Sequence, residues 1–131
     1  MRCLSRIGPV MLPLVLFLAC PGCQSGSRDK PTDPAEYSAR IEAALLIVSQ
    51  TEKDNALSEA CADAAEVGVS EAVKRGVGGI VSQTKKDDTA AKCAVKLAHA
   101  GQTAAAVEVA KMIVSQTKRD ETLKKLATGS N

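Results

Sequence analysis

The side chains with the greatest potential for chemistry in this sequence are five cysteines and a single histidine. A nucleophilic cysteine needs a base beside it, and a zinc site needs three or four ligands at a matching spacing. His99 lies six residues after Cys93, a separation that does not place both on one face of a helix. Together with Cys61 they make a poor ligand set. The sequence predicts no catalytic site, no metal site and no cofactor, and His99 is interpreted as a surface residue.

The first part of the chain is typical of an export signal over residues 1–19. Arg2 and Arg6 precede a short apolar segment at residues 10–19 that Pro13 interrupts. A transmembrane helix needs about 20 apolar residues, so this segment is too short for a permanent anchor.

The residues around Cys20 resemble the bacterial lipobox, in which small or apolar residues precede a cysteine, here Phe17-Leu18-Ala19. The resemblance implies that Cys20 becomes the lipidated first residue of the mature protein, with Cys23 as the alternative. It also implies an exported protein of the bacterial cell envelope, attached to the membrane by its N-terminal lipid. Ordinary secretion, without a lipid, is the remaining interpretation.

Residues 24–34 are rich in Ser, Gly, Pro and charge. Such a composition cannot bury enough apolar surface to order itself, and we interpret residues 20–34 as a lipidation site followed by a flexible tether. Residues 35–131 then form the folded domain.

The net charge gives no reason to expect nucleic acid as a partner. The chain has 17 basic and 15 acidic residues, and removal of Arg2 and Arg6 with the signal leaves the two signs equal. Binding of nucleic acid would need a concentrated basic face.

Three copies of the pentapeptide Ile-Val-Ser-Gln-Thr occur in the domain, at residues 47–51, 80–84 and 113–117, with a spacing of 33 residues. An Asp follows each Thr by three positions, and a Gly follows the first two Asp residues by fourteen. Repeats of this period indicate stacked structural units.

Each unit is predicted to be a pair of helices. Thr-x-x-Asp resembles a capping box, so we expect Thr to cap the first helix and Asp to lie in its first turn. Apolar residues at helical spacing then predict one buried face, and the Gly at 68 or 101 ends the helix. The second helix starts near Ser70 or Thr103 and runs into the next Ile-Val, both of which we expect to be buried.

A half unit stands at each end, an opening helix over 34–48 and a closing helix over 118–127. With these included, the pattern predicts six helices. The predicted fold class is all-α, a short α-solenoid of stacked antiparallel helix pairs. Over residues 35–128 the chain resembles the tetratricopeptide-like class of α-hairpin repeats, through its period, the Gly between the helices and the small Ala residues of the second helix. The resemblance implies a scaffold for protein–protein interaction.

Two features bear on stability. Cys61 and Cys93 occupy similar places in neighbouring repeats, about 8–10 Å apart, which exceeds the span of a disulfide. We expect two small buried side chains. Gly76, Gly78 and Gly79 predict that the helix over 70–81 is the least stable, since each glycine costs about 1 kcal/mol relative to alanine.

Charge is unevenly distributed along the domain. Residues 35–73 carry eight acidic and two basic side chains, whereas residues 74–127 carry eleven basic and five acidic ones. Two interpretations remain for a stack with an acidic and a basic end. It is a solvated surface with no further role, or it binds a charged partner or another copy of itself in a salt-dependent manner.

Seven side chains are the candidates for interaction, three pentapeptide amides and four basic residues of the first turns: Gln50, Gln83, Gln116, Lys85, Lys86, Lys118 and Arg119. The sequence favours a lipid-anchored envelope protein that presents a helical-repeat scaffold to an unidentified protein partner. The alternative is a structural lipoprotein that polymerises through its uncapped ends.

Overall fold

A computed structural model describes residues 33–129. This part of the chain forms six helices and contains no strand, which confirms the predicted all-α class. The helices are α1 (Pro34–Leu45), α2 (Gln50–Glu66), α3 (Ser70–Gly79), α4 (Gln83–His99), α5 (Thr103–Lys111) and α6 (Gln116–Thr128).

The helices pack in two layers. In one layer α2 contacts α4 and α4 contacts α6, and in the other α1 contacts α3 and α3 contacts α5. Across the layers, α2 packs on α3 and α4 packs on α5. The repeating unit is therefore a helical hairpin, α2–α3 and then α4–α5, with α1 and α6 as half units at the two ends of the stack.

The turn inside each hairpin is built on a glycine, as predicted. Gly68 has φ +78° and Gly101 has φ +80°, in the left-handed region where a Cβ is strained. The N–H of Val69 donates to the carbonyl of Ala64 at 2.9 Å, and the N–H of Gln102 does the same to Leu97 at 2.8 Å. These are Schellman bonds, and they satisfy carbonyls that the end of α2 or α4 leaves unpaired.

The connections between repeats are extended. We call the three Ile-Val-Ser segments at 47–49, 80–82 and 113–115 the joints. Backbone dihedrals at Ile80 (φ −71°, ψ 126°) and Ser82 (φ −66°, ψ 115°) lie in the extended region. The predicted helices are accordingly too long at this point: α1 ends at Leu45 instead of residue 48, and α3 ends at Gly79, before the Ile-Val pair.

The core is made largely of small side chains, since nine of its twenty buried apolar residues are alanine. The helices approach closely as a result. A Cβ on Gly76 would lie 2.3 Å from the Sγ of Cys61, so α3 can lie against α2 only with glycine there. Tyr37, 1% exposed, is the largest of these core side chains.

The predicted buried faces of α2 and α4 are confirmed, with Leu57, Cys61, Cys93 and Leu97 fully buried. The face of α6 differs. Leu123 and Leu126 are half-buried and Ala127 is exposed. No second helix follows α6 within residues 33–129, and this side of it is uncovered by that part of the chain.

Candidate functional site

Every joint exposes its valine. The second and third joints bury their isoleucine, and Ile47 of the first is half-buried. Ile80 and Ile113 are 3% and 1% exposed, whereas Val81 and Val114 are 59% and 65% exposed. The expectation that both residues of each pair lie in the core is therefore wrong for valine. Successive side chains of an extended segment point to opposite sides, so only one of the two can face the core.

The threonine of the pentapeptide does not cap the helix that follows it. The N-cap residues of α2, α4 and α6 are Ser49, Ser82 and Ser115, and these helices begin at the glutamine. Each threonine is thus already the second helical residue, and its hydroxyl lies too late in the chain to act as the N-cap. The start of α6 is correspondingly two residues earlier than predicted.

The repeated aspartate holds the joint in place through hydrogen bonds from backbone N–H groups. Asp54, 3% exposed, accepts hydrogen bonds from the backbone N–H groups of Val81 at 2.9 Å and Ser82 at 2.8 Å. These N–H groups stand at the entry to α4, in the next repeat. The capping-box interpretation of this aspartate is wrong, because it caps the helix of the following unit and not its own.

Asp87 repeats the arrangement one unit later. It is 5% exposed and accepts from the N–H of Val114 at 2.9 Å and of Ser115 at 3.0 Å. Burial raises the pKa of its carboxyl, but the N–H donors, Gln83 and the charge of Lys118 outweigh this and hold the pKa below its ordinary value. Asp87 therefore stays ionised at neutral pH and buried at the contact between two repeats.

Of the three candidate glutamines, Gln83 forms a side-chain hydrogen bond that gives it a structural role. Its Nε2 donates to the Oδ1 of Asp87 at 2.8 Å and so supports the joint carboxylate. All three glutamines are exposed, at the same position of successive repeats. Gln50 lines a shallow cleft with Asp54 and Lys85, between the first joint and the second.

The candidate lysines contribute to contacts between repeats. Lys85 donates to Asn55, and Lys118 forms an ion pair with Asp88 and has a raised pKa because of that hydrogen bond. In each case the lysine belongs to one repeat and its acceptor to the repeat before it.

The two other basic candidates, Lys86 and Arg119, are half-buried. Within residues 33–129 their side chains form no hydrogen bond or ion pair. The structure therefore brings Lys85 and Lys118 into the inter-repeat contacts and leaves Lys86 and Arg119 outside them.

Four side chains of each repeat are exposed at equivalent positions, and we call the twelve together the joint edge: the Val, Ser, Gln and Thr at 48–51, 81–84 and 114–117. Sequence reasoning selected the glutamines of this surface and missed its valines. The signal that could have found them is the extended geometry of a joint, which separates the inward Ile from the outward Val.

The cysteines of the domain are confirmed as small buried side chains. Cys61 and Cys93 are free thiols with no exposed surface. Burial raises the pKa of each thiol to about 12, with the charge of Cys93 adding a smaller effect on Cys61. Such thiols are protonated at neutral pH and are weak nucleophiles.

The two lipidation candidates, Cys20 and Cys23, lie outside the described residues. Within residues 33–129, His99 is exposed, and no group of three His, Cys, Asp or Glu side chains is placed to hold a metal ion. None of the six described helices is both long enough and apolar enough to cross a bilayer.

Comparison of the chain with models of known protein families, with curated proteins and with solved structures finds no match in any of the three.

Proposed function

We propose that this chain is a lipid-anchored protein of the bacterial envelope whose helical stack binds another protein through the joint edge. The exposure of Val48, Val81 and Val114, at 97%, 59% and 65%, carries the proposal. A single exposed valine needs no explanation. An apolar side chain exposed at the same place in three successive repeats forms a regular row, which offers a partner one apolar contact per repeat.

The chemistry of the joint edge favours a neutral peptide segment as the partner's contact. Each repeat offers the methyl groups of valine, two hydroxyls and the amide of glutamine. Neighbouring helices in such a stack lie about 8–10 Å apart, and a polyproline II segment has three residues per turn and advances about 3.1 Å per residue. A segment of the partner in this conformation would therefore present every third side chain to successive repeats.

The binding test uses the double variant Val81→Ser, Val114→Ser of the full chain, with Val67→Ser as the matched control. Val67 is 49% exposed and lies at the end of α2, away from the joint edge. Proteins cross-linked to the wild-type chain in envelope extracts are identified by mass, then purified and measured against each variant by calorimetry.

We expect a genuine partner to bind wild type and Val67→Ser equally and to bind the double variant at least about tenfold more weakly, because two apolar contacts are lost. Equal affinity of the partner for all three proteins would show that the joint edge is not the binding surface.

The anchor is tested separately by the variants Cys20→Ser and Cys23→Ser. Expressed in a bacterial host, the wild-type chain is expected in the membrane fraction with a lipid adduct on its N-terminal peptide. Cys20→Ser should abolish the adduct, and Cys23→Ser should retain it. The opposite pattern moves the modification to Cys23, and an unmodified wild-type chain in the soluble fraction would disprove lipid anchoring.

A further inference from the structure

We infer that two copies of this chain associate head to tail, with α6 of one copy seated in the groove between α1 and α2 of the next. The partner is a second copy of the same chain, joined by the bond that already holds its own repeats together. The inference is independent of the proposed function, because it uses the backbone N–H groups of the first joint and not the side chains of the joint edge.

The two ends carry the unmatched halves of a joint. Asp54 and Asp87 each bind the Val and Ser N–H groups of the following repeat. Asp120, the third aspartate of the series, is exposed and makes no hydrogen bond or ion pair within residues 33–129. At the other end, the N–H groups of Val48 and Ser49 have no acceptor in the same part of the chain.

The groove between α1 and α2 is equivalent to a groove one repeat further along, which a helix already occupies. It is lined mainly by apolar side chains of α1, α2 and the first joint, including Ala43, Ile47 and Ala60. The residues 33 positions later are Gly76, Ile80 and Cys93, which are all buried in the stack. Gly76 lies directly against Cys61 of α2. The equivalent groove one repeat along is therefore filled by α2.

The helix α6 has the matching residues on its uncovered side. Ala127 stands 66 residues after Cys61 and Leu123 stands 66 residues after Leu57, two periods of the repeat in both cases. Leu57 and Cys61 are fully buried, whereas Leu123 is half-buried and Ala127 is exposed. Docking α6 into the groove of a second copy would cover both side chains in the way that α2 is covered.

Some charged pairs between the two copies favour the association and others oppose it. Lys92 of α4 lines a cleft with Ser58 and Glu59 of α2. In the contact between two copies, α2 of the second copy takes the place of α4, and α6 of the first takes the place of α2. Glu59 of the second copy then lies near Lys124 and Lys125 of the first, and the opposite charges attract.

Like charges meet at two places. Glu52 of the second copy faces Glu121 of the first at the place of the Lys118–Asp88 ion pair, and Glu42 of the second copy faces Glu108 of the first at the place of the Arg75–Glu42 pair. This repulsion makes the association weak, and it identifies a substitution that should strengthen it.

The test is sedimentation velocity of the full chain in a non-ionic detergent, over a range of concentrations. Asp120→Lys blocks the C-terminal end, and Ala43→Lys blocks the groove. A Cβ at the equivalent Gly76 would meet the Sγ of Cys61 and the Cδ1 of Ile41, atoms that Ala127 and Val107 at the matching positions lack, so alanine fits there but lysine does not. Both substituted positions are exposed, so the fold is retained, and circular dichroism verifies this.

Wild type is expected to associate as its concentration rises, and each blocked variant to remain a monomer when alone. A mixture of the two variants should form a one-to-one complex, because one supplies an intact groove and the other an intact α6. Glu52→Lys should tighten the association by roughly threefold to tenfold by replacing repulsion with an ion pair.

A wild-type chain that stays monomeric, blocked variants that associate like wild type, or a mixture without a complex would each overturn the inference. Association through the lipid anchor alone would persist in both blocked variants and is recognised in that way. Loss of this association leaves binding at the joint edge intact, so the two proposals fail separately.

Discussion

The carboxylate of Asp54 lies 2.9 Å from the backbone nitrogen of Val81, 27 residues further along the chain. Asp87 and Val114 have the same separation and the same distance. Because the bond recurs with the repeat, each unit is fixed to the next by a buried carboxylate that accepts two N–H groups. This contact explains why an aspartate stands three residues after the first and the second pentapeptide.

Replacement of Asp87 by asparagine is expected to lower the free energy of unfolding by about 1–3 kcal/mol. The amide keeps one acceptor oxygen but turns an NH₂ group towards an N–H donor, which leaves the N–H of Val114 or Ser115 without its bond. Urea unfolding followed by circular dichroism measures the change.

The matched control for this variant is Asp120→Asn, the same substitution at the same position of the next repeat. Asp120 is exposed and has no partner within residues 33–129, so its loss should change the stability by less than about 0.5 kcal/mol. Equal effects at the two positions would mean that the joint bond contributes nothing to stability.

Acid should weaken the joint. The pKa of the Asp87 carboxyl is lowered in the folded protein, whereas an exposed aspartate has a pKa of about 3.9. Unfolding in acid therefore takes up a proton at this residue, and its contribution to stability, complete above the unfolded pKa, is lost as the pH falls through the folded pKa. Urea unfolding from pH 7 to pH 3 should show a smaller loss for Asp87→Asn than for wild type, and parallel curves would refute the assignment.

The glycines of α3 are predicted to respond in opposite directions to alanine. A Cβ on Gly78 meets no atom within 4 Å, so Gly78→Ala should stabilise the protein by up to about 1 kcal/mol through helix propensity. A Cβ on Gly76 would lie 2.3 Å from the Sγ of Cys61, which is itself fully buried, so Gly76→Ala should destabilise despite the same gain in propensity. Thermal unfolding of both variants shows whether glycine is required at position 76 by the close approach of two helices and only tolerated at position 78.

The buried thiols should be inert in the folded protein. Burial raises the pKa of Cys61 and of Cys93 to about 12, so neither carries appreciable thiolate at pH 8. Alkylation by iodoacetamide, read by mass spectrometry of the peptides, should modify both only in urea. Native labelling as fast as labelling in urea would show that these cysteines are accessible.

The period of 33 residues was sufficient to predict the helices. Gly68 and Gly101 were correctly placed as helix ends, because a left-handed turn between two apolar stripes is a local property of the sequence. The stripe of α2, from Leu57 to Ala65, was likewise readable from helical spacing alone.

The roles within the pentapeptide were not readable in the same way. Thr-x-x-Asp fits a capping box locally, but the partners of Asp54 and Asp87 lie 27 and 28 residues away, and no local pattern reports them. The exposure of Val81 follows from the extended backbone of the joint, which the adjacent helical periodicity concealed.

The most direct measurement is amide hydrogen exchange at the Val and Ser of the three joints, by NMR on a dilute sample. Val48 and Ser49 share their neighbouring residues with Val81 and Ser82 and with Val114 and Ser115, so their intrinsic exchange rates are the same. We expect slow exchange at 81, 82, 114 and 115, fast exchange at 48 and 49, and faster exchange at 114 and 115 in Asp87→Asn. Equal exchange at all three joints would show that the aspartate bonds do not hold the repeats together.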